Sequence, residues 1–355
     1  MLLVPLVRLA AGVALLALLA VSPAPPAART ASPRPSAALP LTVAVGHQPM
    51  AVAVDSVTNR IYVANTADHT VSILSAGHAA IRATVPGGKA PIGIAVNSAT
   101  NRVYVTNADD VVTVLNGATG ATIGWVEVGP RPVGIAVDPV QNRVYVANAD
   151  DTVSVVDGAT TTVLATVAVG HDPTLVAVDP TRQRVYVTNY QDDTLAVLDS
   201  VRDRLLTAVP VGHGPAGVAV DAGLSRLYVA NARAASVSVL DASTLTVVAT
   251  VRVGGSPVGL AVDPLRHQVA LVDAGSGNLL ILDGRTGALL ATVPVGRLSL
   301  GVAVLPEVGA VYVASRLTDS LTVVPERSLG HGRCRSLPGY ALLAAAFPGR
   351  ISTCP

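Results

Sequence analysis

The chain has 355 residues, half of them apolar and only 13% charged against the quarter usual for a soluble domain, so it can bury a large core. Its 24 basic and 23 acidic residues leave a formal charge of +1, which excludes a global field that draws in nucleic acid or an anionic membrane. Any charge-based function must be local.

Residues 1–24 place Arg8 before an apolar run over residues 9–21 and end in small residues and prolines, the pattern of a secretory signal peptide. That run is short for a membrane span, so export is expected, with an uncleaved N-terminal anchor as the alternative. Residues 25–40, PPAARTASPRPSAALP, have the composition of an extended linker. The folded body is expected over residues 41–327, followed by a tail at residues 328–355. The two cysteines of the chain, Cys334 and Cys354, both lie in that tail. An even count in an exported chain favours a disulfide, and their spacing suits neither a metal site nor haem attachment. The tail also holds an apolar run at residues 340–347, most economically explained by packing on the folded body.

The body is repetitive. An Ala-Val pair recurs with its alanine at positions 53, 95, 136, 177, 219, 261 and 303, so the period is 41 or 42 residues. Each unit contains four short runs of Val, Ala, Ile and Tyr punctuated by Gly, Pro, Asp and Asn, which read as four strands with turns. No helical period interrupts them. Four antiparallel strands in about 40 residues, repeated in tandem, specify a blade of a β-propeller. The first and last units are as apolar as the middle ones, so a ring is expected rather than an open stack with polar caps. The seventh unit supplies only three strands, and TVAV at residues 42–45 is a surplus fourth strand before the first unit. The N-terminal strand is therefore expected to complete the seventh blade and close the ring. The fold class expected is all-β, a seven-bladed propeller of four-stranded antiparallel blades.

The second strands read YVAN at 62–65, YVTN at 104–107, YVAN at 145–148, YVTN at 186–189 and YVAN at 228–231. Over residues 41–325 the chain resembles the YVTN β-propeller repeat family, also described as YncE-like. Units six and seven depart from the motif, with Ala270 and Asp273 in one and Ser315 in the other. The resemblance implies a secreted, periplasmic or cell-surface protein whose propeller serves as a binding surface, and it implies no catalytic residues.

Repeated residues point to architecture. Asp55, Asp138, Asp179, Asp221 and Asp263 end first strands and suit turns, while Asn65, Asn107, Asn148, Asn189 and Asn231 end second strands and are expected to bond the backbone of the turn that follows. The variable positions are more informative about function. Ahead of the first strands stand His47, Lys89, Arg131, His171, His213 and Arg297, a candidate ligand- or partner-binding collar of cationic and histidine side chains on one face. Loops between second and third strands carry acids on the same face, including Asp68, Asp109, Asp110, Asp150, Asp151, Asp192, Asp193 and Asp319, so an acidic arc is expected outside the collar. That pattern suits a protein, a cell-envelope component or a small anionic ligand.

No nucleophile elbow, zinc-protease or phosphate-loop motif occurs, and no cofactor or metal is expected. A monomeric, non-catalytic binding scaffold is the leading reading. The alternative is a lyase or lactone hydrolase using histidines and acids at the channel mouth. Binding of nucleic acid or another polyanion is the weaker one, since stacking platforms need exposed aromatics and the chain has one Trp and one Phe.

Overall fold

The computed structural model describes residues 40–77 and 79–325; the expected signal segment, most of the linker, the tail and both cysteines lie outside the described residues. Among the described residues, twenty-eight strands form seven four-stranded antiparallel sheets. Six sheets are continuous meanders, as in blade one: Pro49–Asp55, Arg60–Asn65, Thr70–Ser75 and Ala80–Pro86. The seventh contains Ser299–Leu305, Ala310–Ser315 and Ser320–Pro325, with Leu41–Ala44 paired to the last of these as its fourth strand. The expected closure is thus present, one residue earlier than read from the sequence. Val45 follows the strand, and its N–H donates to the Asp319 carbonyl at 3.0 Å.

Second and third strands are buried along almost their whole length because each blade is covered on both faces by its neighbours. Seven hydrophobic clusters occupy the seven blade boundaries. One joins Ile61, Val63 and Leu74 of blade one to Tyr312, Ala314 and Leu321 of blade seven, so the ring closes through a core as well as a sheet. The fourth strands form the rim and are largely exposed.

The first strands line the centre, and their backbones approach closely. A Cβ on Gly93, Gly134, Gly217 or Gly259 would overlap the carbonyl oxygen of Val133, Thr174, Val258 or Leu300 in the next blade. Glycine at this position lets adjacent inner strands pack backbone to backbone.

The repeated Asp residues make the expected turns: Asp55 accepts from the N–H groups of Val57 and Thr58 at 2.9 and 3.2 Å, and Asp138, Asp179 and Asp263 act likewise. The motif tyrosine has a role that packing alone does not convey. Tyr62, Tyr104, Tyr145 and Tyr228 donate their hydroxyl hydrogens to Gly117, Gly158, Ser200 and Gly284, carbonyls in the third-to-fourth-strand turn of the next blade. Tyr312 of blade seven donates to Ala76 of blade one at 3.1 Å. Blade six has Ala270 because the partner turn does not exist. Blade seven takes its fourth strand from the N-terminal side of the chain, so no turn joins its third and fourth strands.

Candidate functional site on the connector face

Connectors running from the outer strand of one blade to the inner strand of the next share a face with the loops between second and third strands. Each of those loops closes on a residue in the left-handed region, namely His69, Asp110, Asp151, Asp193, Ala235, Gly277 and Asp319, with φ between 49° and 75°. Asp and His tolerate this conformation better than most side chains. From there the side chain reaches the connector entering the following blade. Asp319 accepts from the Gln48 N–H at 2.8 Å, Asp110 from Arg131 at 2.8 Å, Asp151 from Asp172 at 3.0 Å and Asp193 from Gly214 at 2.8 Å. His69 Nδ1 accepts from the Ala90 N–H at 2.8 Å. Ala235 and Gly277 carry no acceptor side chain, so the connectors into blades six and seven lack this clip.

Two histidines add a second tie. The His47 N–H donates to Asp68 Oδ2 at 2.7 Å and its Nδ1 lies 2.8 Å from Asp68 Oδ1; His171 repeats this with Asp192 at 2.7 and 2.8 Å. Their Nε2 atoms stand 3.9 Å from Asp319 and Asp151, carboxylates of the preceding blade. Blade five has Ala234 where blade one has Asp68, and its His213 turns instead to Asp193 of blade four, with Nδ1 2.6 Å from Oδ2. The His47 N–H, followed by its imidazole, holds Asp68 below the usual carboxylate range, and His171 does the same to Asp192. In return the bond to Asp68 raises His47 and the bond to Asp192 raises His171.

All six residues expected in the collar are exposed on connectors of this face. Six members of the expected acidic arc, Asp68, Asp110, Asp151, Asp192, Asp193 and Asp319, are hydrogen-bonded to the histidines or connector N–H groups, whereas among the described residues Asp150 bonds only the Thr152 hydroxyl and Asp109 bonds neither. The unpaired cations are Lys89, Arg131 and Arg297, whose side chains make no hydrogen bond or ion pair among the described residues; the Asp109 carboxylate is unpaired in the same sense. The three histidines sit in connectors of blades one, four and five and do not converge. Among the described residues no group of three His, Cys, Asp or Glu side chains is placed to hold a metal ion.

The repeated asparagines do not bond the following turn as expected. Asn65 donates to Thr70 and Ser72 at 3.1 and 2.9 Å, Asn148 to Thr152 and Ser154, and Asn231 to Ser236 and Ser238. These are hydroxyls of the third strand. The asparagine side chains also lie flat against the connector glycines: a Cβ on Gly46 would stand 2.7 Å from Asn65 Cγ, and Gly88, Gly129, Gly170 and Gly212 face Asn107, Asn148, Asn189 and Asn231 in the same way. Close approach to the amide requires the glycine in each of these five connectors.

The sequence reading missed Arg316 and Gln48. Arg316 Nη2 donates to Gln48 Oε1 at 3.0 Å, and both line a cavity of about 530 Å³ between blades seven and one with His47, Asp68 and Asp319. Neither belongs to a repeated position that stands out before the ring is closed. Arg233 lies 4.4 Å over the Tyr190 ring, tying the loop of blade five to that of blade four.

Fold and face together define a closed seven-bladed propeller with an uneven set of charges on its connector face. Many solved structures share the propeller fold, and two of them serve as comparisons. One, from Kuenenia stuttgartiensis hydrazine synthase, is 18% identical with a TM-score of 0.71, covering 78% of this chain and 95% of that chain. The other, U3-55K, is 14% identical with a TM-score of 0.70, covering 80% of this chain and 98% of that chain. At these identities the likeness shows the fold alone. No family model matches the chain, and no curated protein matches it.

Proposed function

We propose that the protein is an exported binding scaffold of the YVTN propeller type, acting at the cell envelope or outside the cell, and that it engages its partner through the connector face. The observation that supports this is the division of labour on that face. Six of the acids and the three histidines are engaged in ties between or within blades, whereas the side chains of Lys89, Arg131 and Arg297 project unpaired from the connectors. Separated cations on a fixed surface suit a partner with acidic groups at matching spacing, and they raise association rate and selectivity more than affinity. The apolar segment at residues 9–21 and the five in-register YVAN and YVTN motifs support the export and family parts of the reading.

The test compares capture from envelope extracts by the wild-type propeller and by the Lys89→Ala, Arg131→Ala, Arg297→Ala triple variant at matched salt. A partner retained by the wild type and lost by the triple variant supports the site. Equal retention removes it.

A second reading, hydrolase or lyase chemistry, is favoured by one observation. Asp68 and Asp192 orient His47 and His171 through Nδ1, as a carboxylate does for a general base. Turnover of a lactone or lyase substrate that vanishes in both His47→Gln and His171→Gln would establish it; turnover unchanged in both would exclude these histidines.

A further inference from the structure

On the face opposite the connectors, the residue that opens each second strand is an arginine in blades one to five: Arg60, Arg102, Arg143, Arg184 and Arg226. In the first three it is committed. Arg60 donates to the Gly117 carbonyl, Arg102 to Gly158, and Arg143 to Ser200 at 2.7 Å and to Asp203 at 2.5 Å, each in the turn of the next blade. Arg184 and Arg226 make no such bond. At the boundary of blades five and six the equivalent carbonyl, Gly284, is taken by the Tyr228 hydroxyl alone at 2.7 Å.

A second arginine, Arg285, enters this turn, in the sequence Asp283-Gly284-Arg285-Thr286-Gly287; the turn of blade four also holds one, Arg202, but it donates to Asp199 at 2.9 Å. Arg226 and Arg285 both line a cavity of about 190 Å³, with Thr286 and the turn backbone on one side and Val239, Val248, Ala249 and Val251 on the other. Two carboxylates stand nearby, each hydrogen-bonded through Oδ1 alone. Asp241 accepts the N–H groups of Ser243 and Thr244, and Asp283 accepts those of Arg285 and Thr286 together with the Thr286 hydroxyl. Asp241 attracts Arg226 and Asp283 attracts Arg285, but neither carboxylate comes within ion-pair contact of its guanidinium. Two guanidiniums therefore face one recess, with no acceptor committed to either and with an apolar wall opposite.

We infer that this recess is a binding site for a small organic oxyanion, a phosphate or carboxylate carrying a short apolar group. The planar donor forks of Arg226 and Arg285 match two oxygens of such a headgroup. The apolar group lies along Val248, which is 48% exposed, and Val251. The site lies on the face opposite the partner surface proposed above and does not depend on it.

The test is titration of the propeller with n-butyl phosphate and, separately, butyrate, at ionic strength held constant with sodium chloride, following arginine Nε–Hε resonances by NMR. Saturable shifts of the Arg226 and Arg285 signals with either probe are expected, the stronger probe identifying the headgroup. Arg285→Gln, an exposed turn substitution, and Arg226→Gln are each expected to weaken binding about tenfold, the value of one charge-assisted hydrogen bond. Non-saturable shifts with both probes, or affinity unchanged in both variants, would overturn the assignment.

Discussion

The Tyr312 hydroxyl donates to the Ala76 carbonyl at 3.1 Å, joining blade seven to blade one across 236 residues of chain. Burial raises this hydroxyl well above its ordinary range, so it remains a donor at neutral pH. Tyr186 offers a natural control. It is equally buried, but its hydroxyl has no hydrogen-bond partner among the described residues. Tyr312→Phe is expected to lower stability by about 1 to 2 kcal/mol, since it strands a buried carbonyl, whereas Tyr186→Phe is expected to be neutral or slightly stabilising. Denaturant midpoints of the two variants check this, and equal losses would refute the distinction.

The boundary between blades six and seven lacks both kinds of clip. Gly277 offers no side chain on the connector face, and Ala270 offers no hydroxyl on the other. Its polar ties include long bonds of 3.3 Å, from Arg266 to the Pro306 carbonyl and from the Leu298 N–H to Ala274. By contrast, blades one and two are joined by Tyr62, Arg60, His69 and Thr66, the last donating to the Pro91 carbonyl at 2.7 Å. Sub-global opening is therefore expected to begin between blades six and seven. Hydrogen exchange under mild denaturant should release amides of Ala310–Ser315 before those of Arg102–Asn107. The reverse order would show that apolar packing outweighs the clips.

The ring was legible in the sequence because each blade repeats the same strand-and-turn chemistry and the surplus strand at residues 42–45 had one place to go. What was not legible was pairing between units. A carboxylate in a loop looks the same whether it faces solvent or the next connector, so the acids that bind connector N–H groups read as an independent arc. The motif tyrosine likewise reads as packing, because its acceptor is a backbone carbonyl that leaves no mark in the residue types. Ala270 became explicable only when strand order showed that blade seven has no third-to-fourth-strand turn. The connector cations stood out in the sequence as variable positions in a repeated frame, but their separation from the engaged histidines needed coordinates.

The inner-strand glycines separate steric need from mere presence. A Cβ at Gly217 would penetrate the Val258 carbonyl oxygen, which is backbone and has nowhere to move. Gly217→Ala is expected to cost several kcal/mol, on the order of 3, through strain at the centre of the ring. Gly124 lies in the outer strand Thr122–Glu127, where the nearest atom to a new Cβ is Thr161 Oγ1 at 3.9 Å. Gly124→Ala is expected to be tolerated or to stabilise by about 0.5 kcal/mol, through loss of freedom in the unfolded chain. Thermal melts of both variants distinguish the cases, and a well-folded Gly217→Ala protein would refute the backbone contact.

Stability should also depend on pH through the two imidazoles that stand between carboxylates. His47 faces Asp68 and Asp319, with His69 near Asp68 and Arg316 bonded to Gln48; His171 faces Asp192 and Asp151, with Asp193 beside Asp192. Both histidines are raised above 6.5, so the folded state holds these protons more tightly than the unfolded chain. Their contribution is complete below pH 6.5 and is lost as pH rises through the raised value. Asp68 and Asp192 are depressed below 3.8, so their contribution is present above that pH and fades as pH falls through the depressed value. The clips are strongest where both partners are ionised, from about pH 4 to 6.5. Because the side chains of both histidines are about 70% exposed, at 70% and 71%, added salt should weaken the effect. The melting temperature is expected to fall between pH 6 and pH 8.5 in the wild type and to change less in the His47→Gln, His171→Gln double variant. Parallel profiles would show that the imidazoles hold the connectors by geometry alone.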